Sequence, residues 1–109
     1  MAKIKFIPIE QLLEIQANNG KFRLVDVLTK ESYDEGHIPG AINIPLDVLN
    51  EQAGNKLKKG DKIVVYCAGY GCHASTKAAD ILLKKGFKNT LDFKAGKQGW
   101  VDAKLELEK

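Results

Sequence analysis

The sequence predicts an α/β fold in which helices cover both faces of a mainly parallel, five-stranded sheet. Short runs of β-branched and apolar residues alternate along the chain with stretches whose apolar residues recur at helical spacing. Alternation of this kind is typical of parallel sheets whose strands are connected by helices. The chain has 109 residues, which is enough for one hydrophobic core and too few for two, so residues 1–109 are expected to form a single domain.

Each predicted element has a local signal. Residues 62–66 form the most strand-like run because three β-branched residues precede a tyrosine. Ser75 and Gly86 are expected to cap the start and end of the clearest helix, and Thr29 to cap a shorter one. The strands are expected at residues 3–7, 22–27, 41–44, 62–66 and 90–93. The helices are expected at residues 8–17, 29–36, 46–53, 75–86 and 100–107, with a stop signal at Asn18, Asn19 and Gly20 and a loop at 96–99.

Composition limits the classes of function. A net charge of +3 suits small anionic substrates or acidic partners and is too small to indicate nucleic-acid binding. No apolar run is long enough to span a membrane, and the charged N-terminal residues do not resemble a signal peptide. Two cysteines are fewer than a secreted disulfide scaffold normally carries, so a reducing, cytoplasmic location is expected.

The segment from Tyr66 to Ser75 is the strongest candidate for chemistry. It lies between the clearest strand and the clearest helix, and ligands of open α/β sheets bind at the carboxyl ends of strands. A loop there can direct backbone N–H groups and the positive end of the helix dipole at an anion, including a thiolate. We therefore expect Cys67 to be a nucleophile with a lowered pKa. The alternative is a buried structural cysteine.

Several segments resemble the rhodanese family, over residues 8–100. Residues 25–27 and 36–45, with Glu31 and Tyr33 between them, resemble the N-terminal signature of that family. Residues 64–67 resemble the strand that delivers its catalytic cysteine, residues 75–87 the following helix, and residues 95–100 the closing signature.

The resemblance implies a sulfurtransferase that needs no cofactor. Cys67 would be the catalytic residue and would carry a sulfane sulfur as a persulfide. The donor would be a polysulfide, a persulfide or thiosulfate, and the acceptor cyanide, a thiol or a protein cysteine. The loop would bind the substrate, and its backbone N–H groups would stabilise the negative charge. These substrate-binding residues are Ala68, Gly69, Tyr70, Gly71, Cys72, His73, Ala74 and Ser75.

The loop departs from the family pattern in length and charge. It is about two residues longer than the loop of the family. The position of the arginine that usually precedes the helix falls near Ala74, and the loop has no arginine, since Arg23 is the only one in the chain. His73 or Lys77 are candidates to replace it, although neither offers the same bidentate fork. Thiosulfate is therefore doubtful as the donor, and hydrolysis of phosphate monoesters is disfavoured.

Cys72 has three interpretations: a small buried residue, a resolving thiol that attacks an oxidised Cys67, or a second sulfur-carrying site.

A metal site is not expected, since Cys67, Cys72, His73 and His37 lack standard ligand spacing. Asp26 and His37 are expected to be structural. Besides a sulfurtransferase, a non-catalytic binding or regulatory module and a Cys67–Cys72 thiol redox switch remain as hypotheses. The sequence leaves the oligomeric state open.

Overall fold

The computed structural model describes residues 3–18 and 22–109 and contains a five-stranded, all-parallel sheet. The strands follow the order β1-β5-β4-β2-β3, so that β4 is central. Residues of β4 and β2 pair in parallel along five positions, from Phe22 with Lys62 to Asp26 with Tyr66. The α/β class and the five-stranded parallel sheet predicted from the sequence are therefore confirmed. The strands are β1 Lys5–Phe6, β2 Phe22–Asp26, β3 Ile42–Asn43, β4 Lys62–Tyr66 and β5 Thr90–Asp92.

Helices cover both faces of the sheet. They are α1 Ile9–Ala17, α2 Lys30–Glu35, α3 Leu46–Lys56, α4 Ala74–Lys84 and α5 Gly96–Asp102. Buried residues of α3 and α4, such as Leu49 and Leu82, form one core cluster, and residues of α1 and α5, such as Leu12 and Trp100, form a second. Among the described residues, no helix is long and apolar enough to cross a membrane.

The alternation of side chains along β4 assigns Cys67 to one face. Successive residues of a strand point to opposite sides of the sheet. Ile63 and Val65 therefore lie in the core cluster of α3 and α4, whereas Val64 and Tyr66 lie in the cluster of α1 and α5. Cys67 continues the first series and belongs to the cluster of α3 and α4. The thiol therefore lies on the face of the sheet that α3 and α4 cover.

A buried polar network fixes the carboxyl ends of β2 and β4. The Tyr66 hydroxyl donates to Asp26 Oδ2 at 2.9 Å and accepts from the Ile38 N–H at 3.0 Å, while Asp26 Oδ1 accepts from the Leu28 N–H at 2.9 Å. His37 stacks on Tyr33 and its Nδ1 donates to the Tyr33 carbonyl at 3.0 Å. Asp26 and His37 thus form hydrogen bonds of the kind that the structural interpretation expects.

Several predicted helix boundaries are wrong. Ser75 does not cap α4, because His73 occupies the N-cap position and Ser75 lies buried in the first turn. The final helix begins at Gly96 instead of residue 100 and ends at Asp102, since amides of its first turn bond to the loop after β4. The predicted cap at Thr29 is confirmed by a hydrogen bond from the Ser32 N–H to Thr29 Oγ1. In the predicted stop signal, Asn18 caps α1, whereas Asn19 and Gly20 lie outside the described residues.

Candidate active site

The candidate site lies at the carboxyl edge of the sheet, in the loop of residues 67–73 between β4 and α4. The loop turns tightly, with the Cys72 N–H donating to the Gly69 carbonyl at 3.0 Å. Its far end meets α4, a helix of 11 residues whose first-turn N–H groups are not used within the helix. The loop therefore brings both cysteines to the positive end of a helix dipole, as the sequence predicts.

Cys67 is completely buried, and this changes its acidity. Its Sγ donates a weak hydrogen bond to the Cys72 carbonyl at 3.4 Å. Burial and the adjacent Cys72 side chain raise the pKa of the Cys67 thiol, and the N–H and hydroxyl of Ser75 lower it by a smaller amount. The sequence-based prediction of a lowered Cys67 pKa is therefore wrong. The amide groups are present, but loss of hydration outweighs them.

Cys72 has the acidity that the sequence predicted for Cys67. Burial, which is only partial here, opposes ionisation but is outweighed by a hydrogen bond from the Cys67 thiol and by the N–H groups of Ala74 and Ala68. Together with the charge of Lys94 they lower the pKa of Cys72. The loop thus stabilises a thiolate at its outer cysteine.

Lys94 places a positive charge at the site, and the sequence analysis missed it. Its Nζ donates to the Cys72 carbonyl oxygen. The two residues proposed to replace the family arginine, His73 and Lys77, are both exposed. Lys94 follows β5 by two residues, and β5 lies next to β4 in the sheet. Because neighbouring parallel strands end at the same edge of the sheet, the position of Lys94 just after a predicted strand could have identified it as a residue near the loop.

An open cavity of about 580 Å³ borders the loop. It is formed between the loop and α5, and Cys72 contributes to its wall whereas Cys67 does not. Five of the predicted substrate-binding residues line it, while His73, Ala74 and Ser75 do not. The lining residues are Ala68, Gly69, Tyr70, Gly71, Cys72, Ala95, Gln98, Gly99 and Asp102.

Helix α5 holds the loop in place from the other side. The N–H groups of Lys97 and Gln98 donate to the carbonyls of Cys67 and Ala68 at 3.0 and 2.9 Å. Gly96 has φ +61°, and a Cβ atom at this position would lie 2.3 Å from the Cys67 carbonyl oxygen. Only glycine allows this approach without displacement of the backbone.

A buried polar pair lies behind Cys67. Asp92, at the end of β5, accepts from Thr76 Oγ1 at 2.9 Å through Oδ2. Its Oδ1 and the Ser75 hydroxyl are buried, and neither forms a hydrogen bond of normal geometry with the described residues. The Ser75 hydroxyl is nevertheless close enough to influence both the Asp92 carboxyl and the Cys67 thiol. Burial raises the pKa of Asp92 against the opposing effects of Ser75, Thr76 and Lys94.

The site shows no arrangement for a metal ion. Among residues 3–18 and 22–109, no group of three histidine, cysteine, aspartate or glutamate side chains is placed to hold one. The chemistry that the arrangement supports is that of two adjacent thiols of different acidity and different exposure.

Comparison with known proteins relates this architecture to one family. YrkF of Bacillus subtilis is 29% identical over 99 residues, which cover 91% of this chain and 52% of YrkF. The chain therefore spans about half the length of that relative. Thiosulfate sulfurtransferase 16, chloroplastic, of Arabidopsis thaliana is 34% identical, and the match covers 72% of each chain. The crystal structure of the BH2092 protein from Bacillus halodurans matches with a TM-score of 0.86 at 33% identity, over 95% of this chain and 76% of that one. The sequence profile of the Rhodanese-like domain matches residues 9–103, and the chain therefore belongs to the rhodanese-like domain family.

Proposed function

We propose that this protein is a sulfurtransferase that holds sulfane sulfur as a persulfide on Cys67. Membership of the rhodanese-like family and similarity to a protein named as a thiosulfate sulfurtransferase support a role in sulfur transfer. The observation that carries the proposal is the position of Cys67, at the carboxyl end of the central strand and against the N–H of Ser75 in the first turn of α4.

The surroundings of Cys67 suit the product better than the resting thiol. A persulfide anion extends one sulfur further than a thiolate and requires donors near its terminal atom. The Ser75 N–H supplies such a donor next to the helix N-terminus, and the Ser75 hydroxyl is close enough to interact with the sulfur.

The transfer is balanced without an added oxidant or reductant. A thiolate attacks the terminal, sulfane sulfur of a donor R–S–SH, a new S–S bond forms, and the S–S bond of the donor breaks. The leaving thiolate RS⁻ takes the bonding electron pair. An acceptor thiolate then attacks the outer sulfur of the Cys67 persulfide, and the Cys67 thiolate leaves in the same way.

The cavity favours persulfide or polysulfide donors over thiosulfate. The loop carries no arginine to hold a sulfonate group, and the polar side chains that line the cavity include Gln98 and the carboxylate of Asp102. Gln98 Nε2 donates to Asp102 Oδ1 at 2.7 Å, which uses one of its N–H donors. A sulfonate group would therefore meet little compensation in this cavity, whereas a larger donor finds room in it.

Intact-mass measurement after removal of the donor tests this function. The protein is incubated separately with thiosulfate, polysulfide and glutathione persulfide, desalted and weighed. We expect one retained sulfur atom, fragmentation of the tryptic peptide of residues 63–77 to locate it on Cys67, and addition of cyanide or a thiol to remove it. The matched variant is Cys67→Ser, in which the same fragmentation should assign no sulfur to residue 67. Failure of all three donors to leave sulfur on Cys67 would refute the proposal.

The contact between the two thiols favours a thiol redox switch as a second candidate function. The Cys67 thiol lies within hydrogen-bonding reach of both the carbonyl and the sulfur of Cys72. An oxidised sulfur on one cysteine would thus be open to attack by the other. Mild peroxide treatment followed by alkylation separates the functions. An intramolecular disulfide that a dithiol reverses supports the switch, and full alkylation of both thiols removes it.

A further inference from the structure

The catalytic thiol of the proposed function has no direct access to a donor. Cys67 is completely buried, and it is absent from the wall of the cavity beside its loop. Its carbonyl is held by the Lys97 N–H of α5, so the loop cannot turn outward without breaking that contact. A donor that enters the cavity meets a different sulfur, that of Cys72.

The two thiols are neighbours across the base of the loop. Cys67 Sγ lies 3.4 Å from the Cys72 carbonyl oxygen, and the two side chains also interact with each other. Cys72 packs against the same core cluster that contains Cys67. One face of Cys72 is thus directed at the interior thiol while the residue also contributes to the cavity wall. A single side chain connects solvent with the buried sulfur.

The electrostatics of the site favour Cys72, the cysteine nearer to the cavity, as the nucleophile. The Cys72 sulfur receives the N–H groups of Ala68 and Ala74, and Lys94 lies against its carbonyl. These groups stabilise a thiolate at Cys72, whereas the burial of Cys67 keeps the inner thiol protonated. A thiolate attacks a sulfane sulfur much faster than a thiol does.

We propose that Cys72 is a second sulfur-carrying site, which receives sulfane sulfur from a donor in the cavity and passes it inward to Cys67. This inference rests on the proposed function and assigns its route. The donor class is a persulfide or polysulfide, R–S–SH, small enough to enter the cavity between the loop and α5.

The route consists of two displacements. In the first, the Cys72 thiolate attacks the terminal sulfur of R–S–SH, the donor S–S bond breaks, and RS⁻ leaves with the electron pair to give Cys72–S–SH. In the second, Cys67 transfers its proton to a water molecule or to RS⁻ and attacks the outer sulfur of Cys72–S–SH. The S–S bond at Cys72 breaks, the Cys72 thiolate is restored, and Cys67–S–SH remains in the interior. Sulfane sulfur changes partner twice, and no net oxidation occurs.

Rapid quenching with an alkylating reagent tests the order of the two sites. Wild-type protein is mixed with glutathione persulfide, trapped at successive times with iodoacetamide, and digested with trypsin. Both cysteines lie in the peptide of residues 63–77, so fragmentation of one peptide assigns the extra sulfur. We expect it on Cys72 at the earliest times and on Cys67 later. Appearance on Cys67 with no earlier Cys72 species would overturn the route.

Two variants separate this inference from the proposed function. Cys67→Ala should accumulate the Cys72 persulfide, although more slowly than the wild type forms it, because the hydrogen bond from the Cys67 thiol to the Cys72 sulfur is lost. Cys72→Ala should load Cys67 at least about tenfold more slowly, because only the buried, protonated thiol remains. Unchanged loading of Cys72→Ala, or no sulfur on Cys72 in Cys67→Ala, would overturn the route and leave the proposed function standing. Absence of loading in the wild type would refute the proposed function itself. Thermal unfolding of each variant confirms that it is folded.

Discussion

Replacement of Gly96 by alanine is the sharpest test of how α5 supports the site. An alanine would have to adopt φ +61°, which costs an L-residue about 1 kcal/mol. Its Cβ would also lie 2.3 Å from the Cys67 carbonyl oxygen and 2.9 Å from the carbonyl carbon. Backbone atoms cannot rotate away as a side chain can, so relief of the clash requires α5 to move, at a further cost of about 1–3 kcal/mol.

The sum predicts that Gly96→Ala lowers the free energy of unfolding by about 2–4 kcal/mol. At about 4 °C for each kcal/mol in a chain of this size, the midpoint of thermal unfolding should fall by about 10 °C. Movement of α5 would also lengthen the hydrogen bonds from Lys97 and Gln98 to the loop. We therefore expect the Cys67 thiol to react faster with iodoacetamide in this variant.

Gly54→Ala is the matched control. Gly54 lies on the exposed side of α3, and a Cβ there would meet nothing within 4 Å. Alanine is the better helix former, so this variant should gain about 0.5–1 kcal/mol. Urea titration of both variants beside the wild type gives the comparison. A Gly96→Ala protein within about 0.5 kcal/mol of the wild type would show that the close packing of α5 against Cys67 is not as described.

Three further predictions concern polar groups at the carboxyl edge of the sheet. Tyr66→Phe should lower the free energy of unfolding by about 2–3 kcal/mol in urea titration, because it leaves Asp26 Oδ2 and the Ile38 N–H without their buried partner. Lys94→Gln should raise the pKa of Cys72, because it removes the nearby positive charge, and should slow alkylation of Cys72 at neutral pH in labelling followed by mass spectrometry. Asp92→Asn should flatten the dependence of stability on pH. The folded-state pKa of Asp92 is raised by burial, so native protein binds its proton more tightly than the unfolded chain does, and stability falls as pH rises from about 4 through that folded-state pKa.

Exposed residues provide the controls for these three variants. Tyr70→Phe removes a hydroxyl from a side chain at the loop tip that is 72% exposed, and should leave stability unchanged. Lys77→Gln removes a lysine charge from the exposed side of α4 and should leave the alkylation rate of Cys72 as it is. Asp47→Asn, on the surface of α3, should keep the wild-type profile of stability against pH. If any variant behaves like its control, the corresponding contact does not contribute as we argue.

The elements that position the site were predictable because their signals are local. The β-branched run of β4 predicts a central buried strand, and the apolar stripe of α4 predicts the helix after it. A loop between them at the carboxyl edge of the sheet follows from parallel topology alone. The loop could therefore be identified as the candidate site from the sequence alone.

The different properties of the two cysteines were not predictable, because they depend on contacts between distant segments. Cys67 is buried by residues of α3 and α4, and its backbone is fixed by α5, about 30 residues further along the chain. The Cys72 thiolate is stabilised in part by Lys94, which follows β5 and is brought to the loop only by strand pairing. The local sequence pattern predicts an anion-binding loop, but it does not reveal which of the two cysteines has the lowered pKa.

The hydrogen bonds from Lys97 and Gln98 to the loop have a consequence for dynamics. Their two amide protons can exchange with deuterium only when α5 separates from the carbonyls of Cys67 and Ala68. Such an opening also releases the backbone of the segment that carries the inner sulfur. Exchange rates at these two amides, followed by NMR, therefore report how often the restraint by α5 is lost, and comparison with the loading rate of Cys67 shows whether movement of α5 limits transfer.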